Sequence, residues 1–150
     1  MIAIETQISG SEQLLAAFVN VERAVDDLSP VFEELGEEAL SDIQKRLDNH
    51  PGPPLAASTI KRKGHARILR DKDDLYASFQ KGAPANVFRI TPTAGEFGTS
   101  DFKARFHQEG TGRTPKRTVI EVTGEQEARY ARLAGEALSK RIKEIGFEVI

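Results

Sequence analysis

The residues best suited to chemistry in this chain are its three histidines. His107 stands near Asp101 and Glu109, whereas His50 and His65 fall in a region rich in basic residues. Catalytic and metal sites need several such groups at defined spacing, and no His-Glu-x-x-His, His-x-x-x-His, Gly-x-Ser-x-Gly or phosphate-loop motif occurs here. The chain has no cysteine, which excludes disulfides and thiolate ligands. We therefore predict no catalytic residue, no metal site and no cofactor, and we expect His107 to have a structural role at the end of a helix, bonding terminal carbonyls or filling a gap.

A second chemically suggestive group is a run of positive charge over residues 61–72, hereafter the basic segment. It holds six basic side chains in twelve residues, which are Lys61, Arg62, Lys63, Arg67, Arg70 and Lys72. Such a segment could bind nucleic-acid phosphates, could contact an acidic surface of a neighbouring subunit, or could be a solvated loop. Aspartates follow it directly and no aromatic residues alternate with the basic ones, which favours a protein contact over nucleic acid.

Charge is divided unevenly along the chain. Residues 1–50 carry 3 basic and 11 acidic side chains, a net charge of −8; residues 51–120 carry 13 and 6, or +7; residues 121–150 carry 5 and 6, or −1. Complementary patches orient association, so this division suits head-to-tail packing of identical subunits. The candidate interface pairs basic residues with acidic residues of a neighbour, namely Lys61, Arg62, Lys63 and Arg67 with Glu33, Glu34, Glu37 and Glu38. The alternative is two solvated surfaces that contact nothing.

Length and composition indicate one soluble domain. The 150 residues are enough for a single core, and contents of 39% hydrophobic and 29% charged residues are those of a folded protein. No apolar run approaches the roughly 18 residues that a membrane helix requires, so we expect no membrane partner. The N-terminus lacks the pattern of a secretion signal, which predicts synthesis and residence in the cytoplasm.

The first part of the chain is predicted to be a strand followed by two helices. β-Branched residues predict a strand over residues 1–8, and a helical stripe predicts a first helix over about 11–27, capped by Ser11. Ser29 and Pro30 predict the start of a second helix. Its apolar face is predicted to consist of Phe32, Leu35, Ala39, Leu40, Ile43 and Leu47. Its acidic face is predicted to carry Glu33, Glu34, Glu37, Glu38 and Asp42.

The middle of the chain is predicted to mix short helices and strands. Prolines predict an exposed turn over residues 50–54, followed by a short helix over about 72–80 with Asp71 or Asp73 as its cap. Alternation predicts a β-hairpin with strands 87–91 and 96–99. A helix over 101–108, capped by Ser100 or Asp101, is predicted to end at Gly110, followed by a loop over 110–117 and a strand over 118–122.

The C-terminal part is predicted to be one long helix. A capping box at residues 123–126 opens it, and Gly135 would permit close approach of another helix. Its buried stripe is predicted to consist of Tyr130, Leu133, Ala134, Ala137, Leu138, Ile142 and Ile145. Residues 147–150 could add a last strand. The whole chain, 1–150, is then a single α+β domain with two N-terminal helices and a long C-terminal helix packed on a small, mostly antiparallel sheet.

The middle third of the chain carries an ordered set of short motifs. These are Ile-Leu at 68–69 with Leu-x-x-Ser-Phe at 75–79, then Gly98-Thr99, then Phe-His-Gln-x-Gly-Thr at 106–111 with Pro-x-Arg at 115–117. In this order and spacing they resemble the phage virion morphogenesis family, the Mu-like tail-completion proteins that work at the head-tail junction. The motif residues that the resemblance implies to be structural are Leu69, Leu75, Ser78, Gly98, Thr99, His107, Gly110, Pro115 and Arg117.

The resemblance implies a structural assembly protein that catalyses no reaction. Its expected role is tail completion, or joining of the tail to the head as a neck component, in a phage or prophage. Its expected partners are further copies of itself in a ring and other tail or neck proteins. It would then pass from the host cytoplasm into the virion. The alternative hypothesis is a DNA-associated accessory protein that uses the basic segment, residues 61–72.

Overall fold

The computed structural model describes residues 11–145; the strand predicted over residues 1–8 and the tail at 147–150 lie outside them. The described residues form helices and one hairpin, in the order α1 (Ser11–Asp26), α2 (Ser29–Asp48), α3 (Ala57–Lys63), α4 (Asp74–Ala77), β1 (Asn86–Thr91), β2 (Ala94–Thr99), α5 (Phe102–Glu109) and α6 (Gly124–Glu144). This is the predicted α+β fold with a long C-terminal helix. No described helix has the length and apolar character needed to cross a membrane.

The break between α1 and α2 lies where the sequence predicts it, and α2 begins at Ser29 without a side-chain cap. The N-cap residue is Leu28, which offers no side-chain acceptor. The carboxylate of Asp27 accepts a hydrogen bond from the Ser29 backbone N–H at 2.9 Å. Hydrogen bonding by the Ser29 side chain, and then by its backbone N–H, lowers the pKa of Asp27. Pro30 occupies the first turn, where a missing N–H costs no helical hydrogen bond. The backbone N–H of Leu28 donates to the Pro92 carbonyl, so the start of α2 is fixed to the hairpin turn.

Helix α2 is the central element, because it packs against both strands and against α6. Its residues Leu40, Ile43 and Leu47 are buried as predicted. They form one cluster with residues from later elements, which are Leu69, Leu75, Phe79, Ala104 and Val119. The predicted face is shifted at its start, since Val31 and Gly36 are buried there while Phe32, Leu35 and Ala39 are half-buried. Gly36 is required because a Cβ at this position would overlap the Phe97 ring.

Asp42 belongs to the predicted acidic face of α2, but the structure buries it. Its residue exposure is only 8%. The reason lies in α6, where the Tyr130 hydroxyl donates to the Asp42 carboxylate at 2.7 Å and the Arg129 guanidinium forms an ion pair with it. Burial and this hydrogen bond raise the pKa of Tyr130 to about 12. Asp42 therefore connects α2 to α6 through a polar contact.

Helix α6 begins with the predicted capping box, in which Thr123 and Gln126 exchange hydrogen bonds. Of the predicted stripe, Ala137 is buried and the other members are half-buried. Gly135 is exposed, with no heavy atom within 4 Å of a Cβ placed there, so the predicted close helix approach is not formed by described residues. The Arg141 guanidinium donates to the Ala24 carbonyl at 3.1 Å, which connects α6 to α1.

The hairpin is confirmed, with a shorter turn than predicted. Strands β1 and β2 pair in antiparallel register with Phe88 opposite Phe97, and the two rings lie 5.0 Å apart. Only Pro92 and Thr93 separate the strands. Cross-strand aromatic pairs of this kind stabilise a two-stranded sheet, which is marginal alone and here packs on α2.

The predicted strand over 118–122 is not formed, because a side chain takes the place of a neighbouring strand. The Gln108 amide oxygen accepts hydrogen bonds from the backbone N–H groups of Val119 and Ile120, at 2.7 Å and 2.9 Å. The Gln108 amide nitrogen donates to the Ile120 carbonyl at 2.8 Å. The side chain of Val119 is fully buried, so this segment enters the core without joining the sheet.

Helix α4 is shorter than the predicted helix over 72–80. Asp73 occupies its N-cap position with φ 62° and makes no side-chain cap bond. The Asp73 carboxylate instead accepts from the Arg70 guanidinium at 2.6 Å. Leu69 also has positive φ, so the chain turns twice before the helix can begin.

We predict that apolar side chains of α2 contribute more to the free energy of unfolding than those of α6. Leu47→Ala should lower the free energy of unfolding by about 2 to 5 kcal/mol, because Leu47 is almost completely buried. Leu133→Ala, at a half-buried position of α6, should cost about 1 kcal/mol. Urea denaturation of both variants measures the difference, and equal losses would contradict this assignment of the core.

Candidate functional site

The candidate site is a cleft of about 700 Å³, hereafter the basic cleft. Its walls come from residues 54–63, residues 69–75, helix α5 and the loop 113–117. Six basic side chains line it, namely Arg62, Lys63, Lys72, Lys103, Arg113 and Arg117. Three aspartates also line it, namely Asp71, Asp73 and Asp74. Five residues of the family-like motifs line it, namely Leu69, Leu75, His107, Pro115 and Arg117.

Arg117 holds three segments of the cleft together. Its Nε donates to the Pro53 carbonyl at 2.8 Å and its Nη2 to the Pro54 carbonyl at 3.1 Å. Its backbone N–H donates to the His107 carbonyl at 2.8 Å, which joins the loop to the end of α5. The residue is only 7% exposed. No carboxylate among residues 11–145 lies within 4.0 Å of its guanidinium.

Each aspartate of the basic cleft already has a cation within the chain. Asp71 lies 3.7 Å from Arg62, and Asp74 lies 3.4 Å from Lys103. Asp73 pairs with Arg70, whose hydrogen bond lowers the pKa of the Asp73 carboxyl. The three carboxylates are therefore paired with cations, and the charge left over in the cleft is positive.

His107 is half-buried at the end of α5, and its Nδ1 atom is enclosed without a hydrogen-bond partner among the described residues. Burial lowers its pKa, and the nearby charges of Arg117 and His50 lower it further. The imidazole forms no hydrogen bond to the helix-end carbonyls of the described residues, so of the two expected roles only the filling of a gap stays a prediction. Asp101 instead caps α5 through the Lys103 N–H at 2.9 Å, and Glu109 pairs with Arg105 at 3.2 Å.

The other two histidines have defined backbone partners. His50 Nδ1 accepts from the Gly52 N–H at 3.2 Å, so its Nε2 carries the proton and donates to the Thr118 carbonyl at 3.0 Å. Burial lowers the pKa of His50. His65 Nδ1 accepts from the Arg67 backbone N–H at 3.3 Å. Within residues 11–145, no three His, Asp or Glu side chains are grouped in a way that could hold a metal ion.

A second group of motif residues lies beside the hairpin. Ser78 is buried and its hydroxyl donates to the Leu75 carbonyl at 2.7 Å, while Thr99 Oγ1 lies 2.8 Å from Ser78 Oγ. Asn86 donates from its amide to the carbonyls of Ser78 and Gly98, at 3.2 Å and 3.1 Å. The Leu-x-x-Ser-Phe and Gly-Thr motifs are therefore hydrogen-bonded to each other, through an asparagine that the sequence patterns did not single out.

The residues of the candidate oligomer interface are partly engaged within the chain. Lys81 pairs with both Glu33 and Glu37, and Arg129 lies 3.4 Å from Glu38. Lys63 donates to the Arg67 carbonyl at 2.8 Å. Arg62 contacts Asp71 as described above. The remaining members, Lys61, Arg67 and Glu34, are exposed and form no ion pair with residues the structure describes.

Sequence reasoning missed three polar residues that organise the site and the fold, which are Asn86, described above, Gln108 and Asp42. Gln108 lies inside the Phe-His-Gln-x-Gly-Thr motif, so the resemblance marked its neighbourhood, but its pairing with residues 119–120 depends on the folded loop. Asp42 directly precedes the buried Ile43 on α2, and the only available signal was that an acidic residue there borders the apolar face.

The comparisons with known proteins add no relative. No family model matches the chain, and no curated protein or solved structure matches it.

We predict that the loop after α5 depends on glycine at position 110. Gly110 has φ 75° and ψ 169°, a conformation that only glycine adopts readily, and a Cβ there would lie 3.0 Å from the Lys116 backbone nitrogen. Gly110→Ala should lower the free energy of unfolding by about 1 to 3 kcal/mol. Gly112→Ala is the matched control, because nothing lies within 4 Å of its added Cβ. Thermal melts in which both variants lose the same stability would contradict the prediction.

Proposed function

We propose that this protein is a structural component of phage or prophage virion assembly, acting in tail completion or as the neck that joins tail to head. The observation that supports this most is the arrangement of the family-like motifs. Although separated in sequence, they meet in two places, the Ser78–Thr99 contact and the Arg117–His107 contact. Residues that hydrogen-bond to each other inside a subunit determine its shape, which is the role the resemblance implies. No catalytic role is needed to explain their presence.

Exposed apolar side chains support a role in protein contacts. Helix α1 exposes Leu15 and Phe18 at 65% and 63%. Helix α5 exposes Phe102 and Phe106, whose rings stack edge to face at 5.8 Å. Aromatic side chains are enriched at protein interfaces, and groups of exposed apolar residues mark interaction surfaces. An assembly protein that contacts several neighbours would use such surfaces.

The alternative, a DNA-associated accessory protein, has less support. Arg70 is only 8% exposed and is bound to Asp73 and Asp48, so its charge is already paired within the chain. Arg62 and Lys63 also have partners within the chain. Nucleic-acid binding relies on cations that can reach phosphates, and half of the basic segment is engaged inside the subunit.

We expect the loss of this protein to leave complete heads and complete tails unjoined. The test is electron microscopy of lysates from a phage or induced prophage whose gene for this protein carries an early stop codon. Free filled heads beside free tails are expected, and expression of the protein from a plasmid should restore joined particles. Normal infectious virions without the protein would overturn the proposal, and particles that lack tails altogether would assign it to an earlier step.

We further propose that copies of the protein form a ring through the basic segment of one subunit and α2 of the next. A closed ring needs two different, complementary surfaces on each subunit. Lys61 and Arg67 on one side and Glu34 on the other are the charged members best placed for this, because they are exposed and form no ion pair with described residues.

We predict that this association depends on salt. Raising the salt from 0.1 M to 1 M shortens the Debye length from about 10 Å to about 3 Å, so an oligomer held by exposed charges should dissociate. Lys61→Glu with Arg67→Glu should prevent association at low salt, and adding Glu34→Lys should partly restore it. Lys140→Glu with Lys143→Glu is the control of equal charge on α6. In sedimentation experiments, an oligomer indifferent to salt and to the first pair of changes would exclude this interface.

A further inference from the structure

Arg117 combines deep burial with the lack of a counter-ion. A buried charge is normally paired, because removing it from water costs several kcal/mol. Two of its nitrogen atoms are bonded to the Pro53 and Pro54 carbonyls, but no carboxylate of residues 11–145 lies within 4.0 Å. The remaining guanidinium nitrogen, Nη1, donates to no described residue, and Arg117 lines the basic cleft. This buried cation is thus suited to receive an anion from outside the chain.

Two further cations near Arg117 are also available to an anion. Arg113 and Lys72 line the same cleft, are exposed, and form no ion pair within the described part of the chain. The cleft's aspartates are each occupied by Arg62, Arg70 or Lys103, so they leave these cations available. The geometry therefore gathers positive charge and donors with no anion to satisfy them.

We propose that the basic cleft binds a carboxylate-bearing, extended segment of a partner protein. An arginine fork and nearby cations recognise carboxylates through charge-assisted hydrogen bonds. Nucleic acid fits less well, because three aspartates lie among the lining residues and no aromatic side chain is there to stack a base. The choice of a protein as partner rests on the proposed assembly function. A helix about 10 to 12 Å wide would fill a volume of about 700 Å³ in fewer than two turns, so an extended segment suits the cleft better.

The test measures binding of a model acidic peptide to the purified full-length protein. The probe is hexaglutamate, acetylated and amidated so that only side chains carry charge, and hexaglutamine is its uncharged match. Calorimetry at low salt gives the affinity, and NMR of the nitrogen-labelled protein locates the binding. Hexaglutamate should bind and shift signals of residues in the cleft, whereas hexaglutamine should not. No binding of hexaglutamate at millimolar concentration would overturn the proposal.

Variants distinguish binding in the cleft from non-specific attraction between the acidic peptide and the protein's positive charges. Lys72→Gln with Arg113→Gln should weaken hexaglutamate binding about tenfold, because each unit charge near a carboxylate contributes a fewfold in water at low salt. Lys140→Gln with Lys143→Gln removes the same charge outside the cleft and should change the affinity less than about threefold. Equal weakening by both pairs would refute a specific site.

The role of Arg117 itself needs a variant that keeps the charge. Arg117→Lys retains a cation but loses the planar fork, so it should weaken binding about tenfold if it still folds. Should it unfold, as judged by its thermal melt, the Lys72 and Arg113 pair carries the test alone. A short DNA duplex is tested in the same way. If it binds more tightly than hexaglutamate, and binds more weakly to the variant with Lys72→Gln and Arg113→Gln, the ligand of the cleft is nucleic acid and the proposal of a protein partner is wrong. These measurements use the purified protein alone. The cleft proposal can therefore be refuted while the assembly proposal stands, and the assembly proposal can be refuted by electron microscopy while peptide binding to the cleft is still observed.

Discussion

The position of α2 between two different neighbours is the constraint on which the rest of the fold depends. Toward the hairpin and the later loops it presents Leu40, Ile43 and Leu47, and burial of such side chains drives folding without fixing direction. Toward α6 it presents Asp42, whose carboxylate must be satisfied by Tyr130 and Arg129 once it leaves water. Apolar packing holds the helices together, and we interpret the directional contact at Asp42 as what sets the position of α6 along α2.

The sequence predicts those parts of the fold that depend on interactions between residues close together in the chain. Asp101 and Thr123 were recognisable as helix caps because the residues they bond lie two or three positions away. The hairpin and α2 followed from short periodic patterns. The strand predicted over 118–122 failed for the opposite reason, since its extended backbone is paired by the side chain of Gln108, about a dozen residues away along a folded loop. Asp42 failed likewise, because its partners belong to α6.

The candidate site was predictable in composition but not in arrangement. The sequence shows a basic segment, yet folding turns Arg70 inward and brings Arg113 and Arg117 from a distant loop to the same cleft. The family-like motif residues also lie mostly within the subunit, as Ser78 and Arg117 illustrate. Contacts with other proteins would then be made by side chains outside those motifs, such as the exposed Phe102.

The charge of the basic cleft follows from how its walls are held together. The residues 50–56 and 110–118 have no regular secondary structure, so their carbonyl groups need donors from elsewhere. A guanidinium supplies several N–H groups in one plane, which lets Arg117 bond two successive carbonyls while its backbone N–H holds α5. Glutamine carries its two N–H donors on a single nitrogen, whereas the guanidinium spreads its donors over three, and lysine lacks the planar geometry. The residue that closes the loops therefore also places a fixed positive charge inside the cleft, and any anion that binds there is attracted by a group that the fold itself requires.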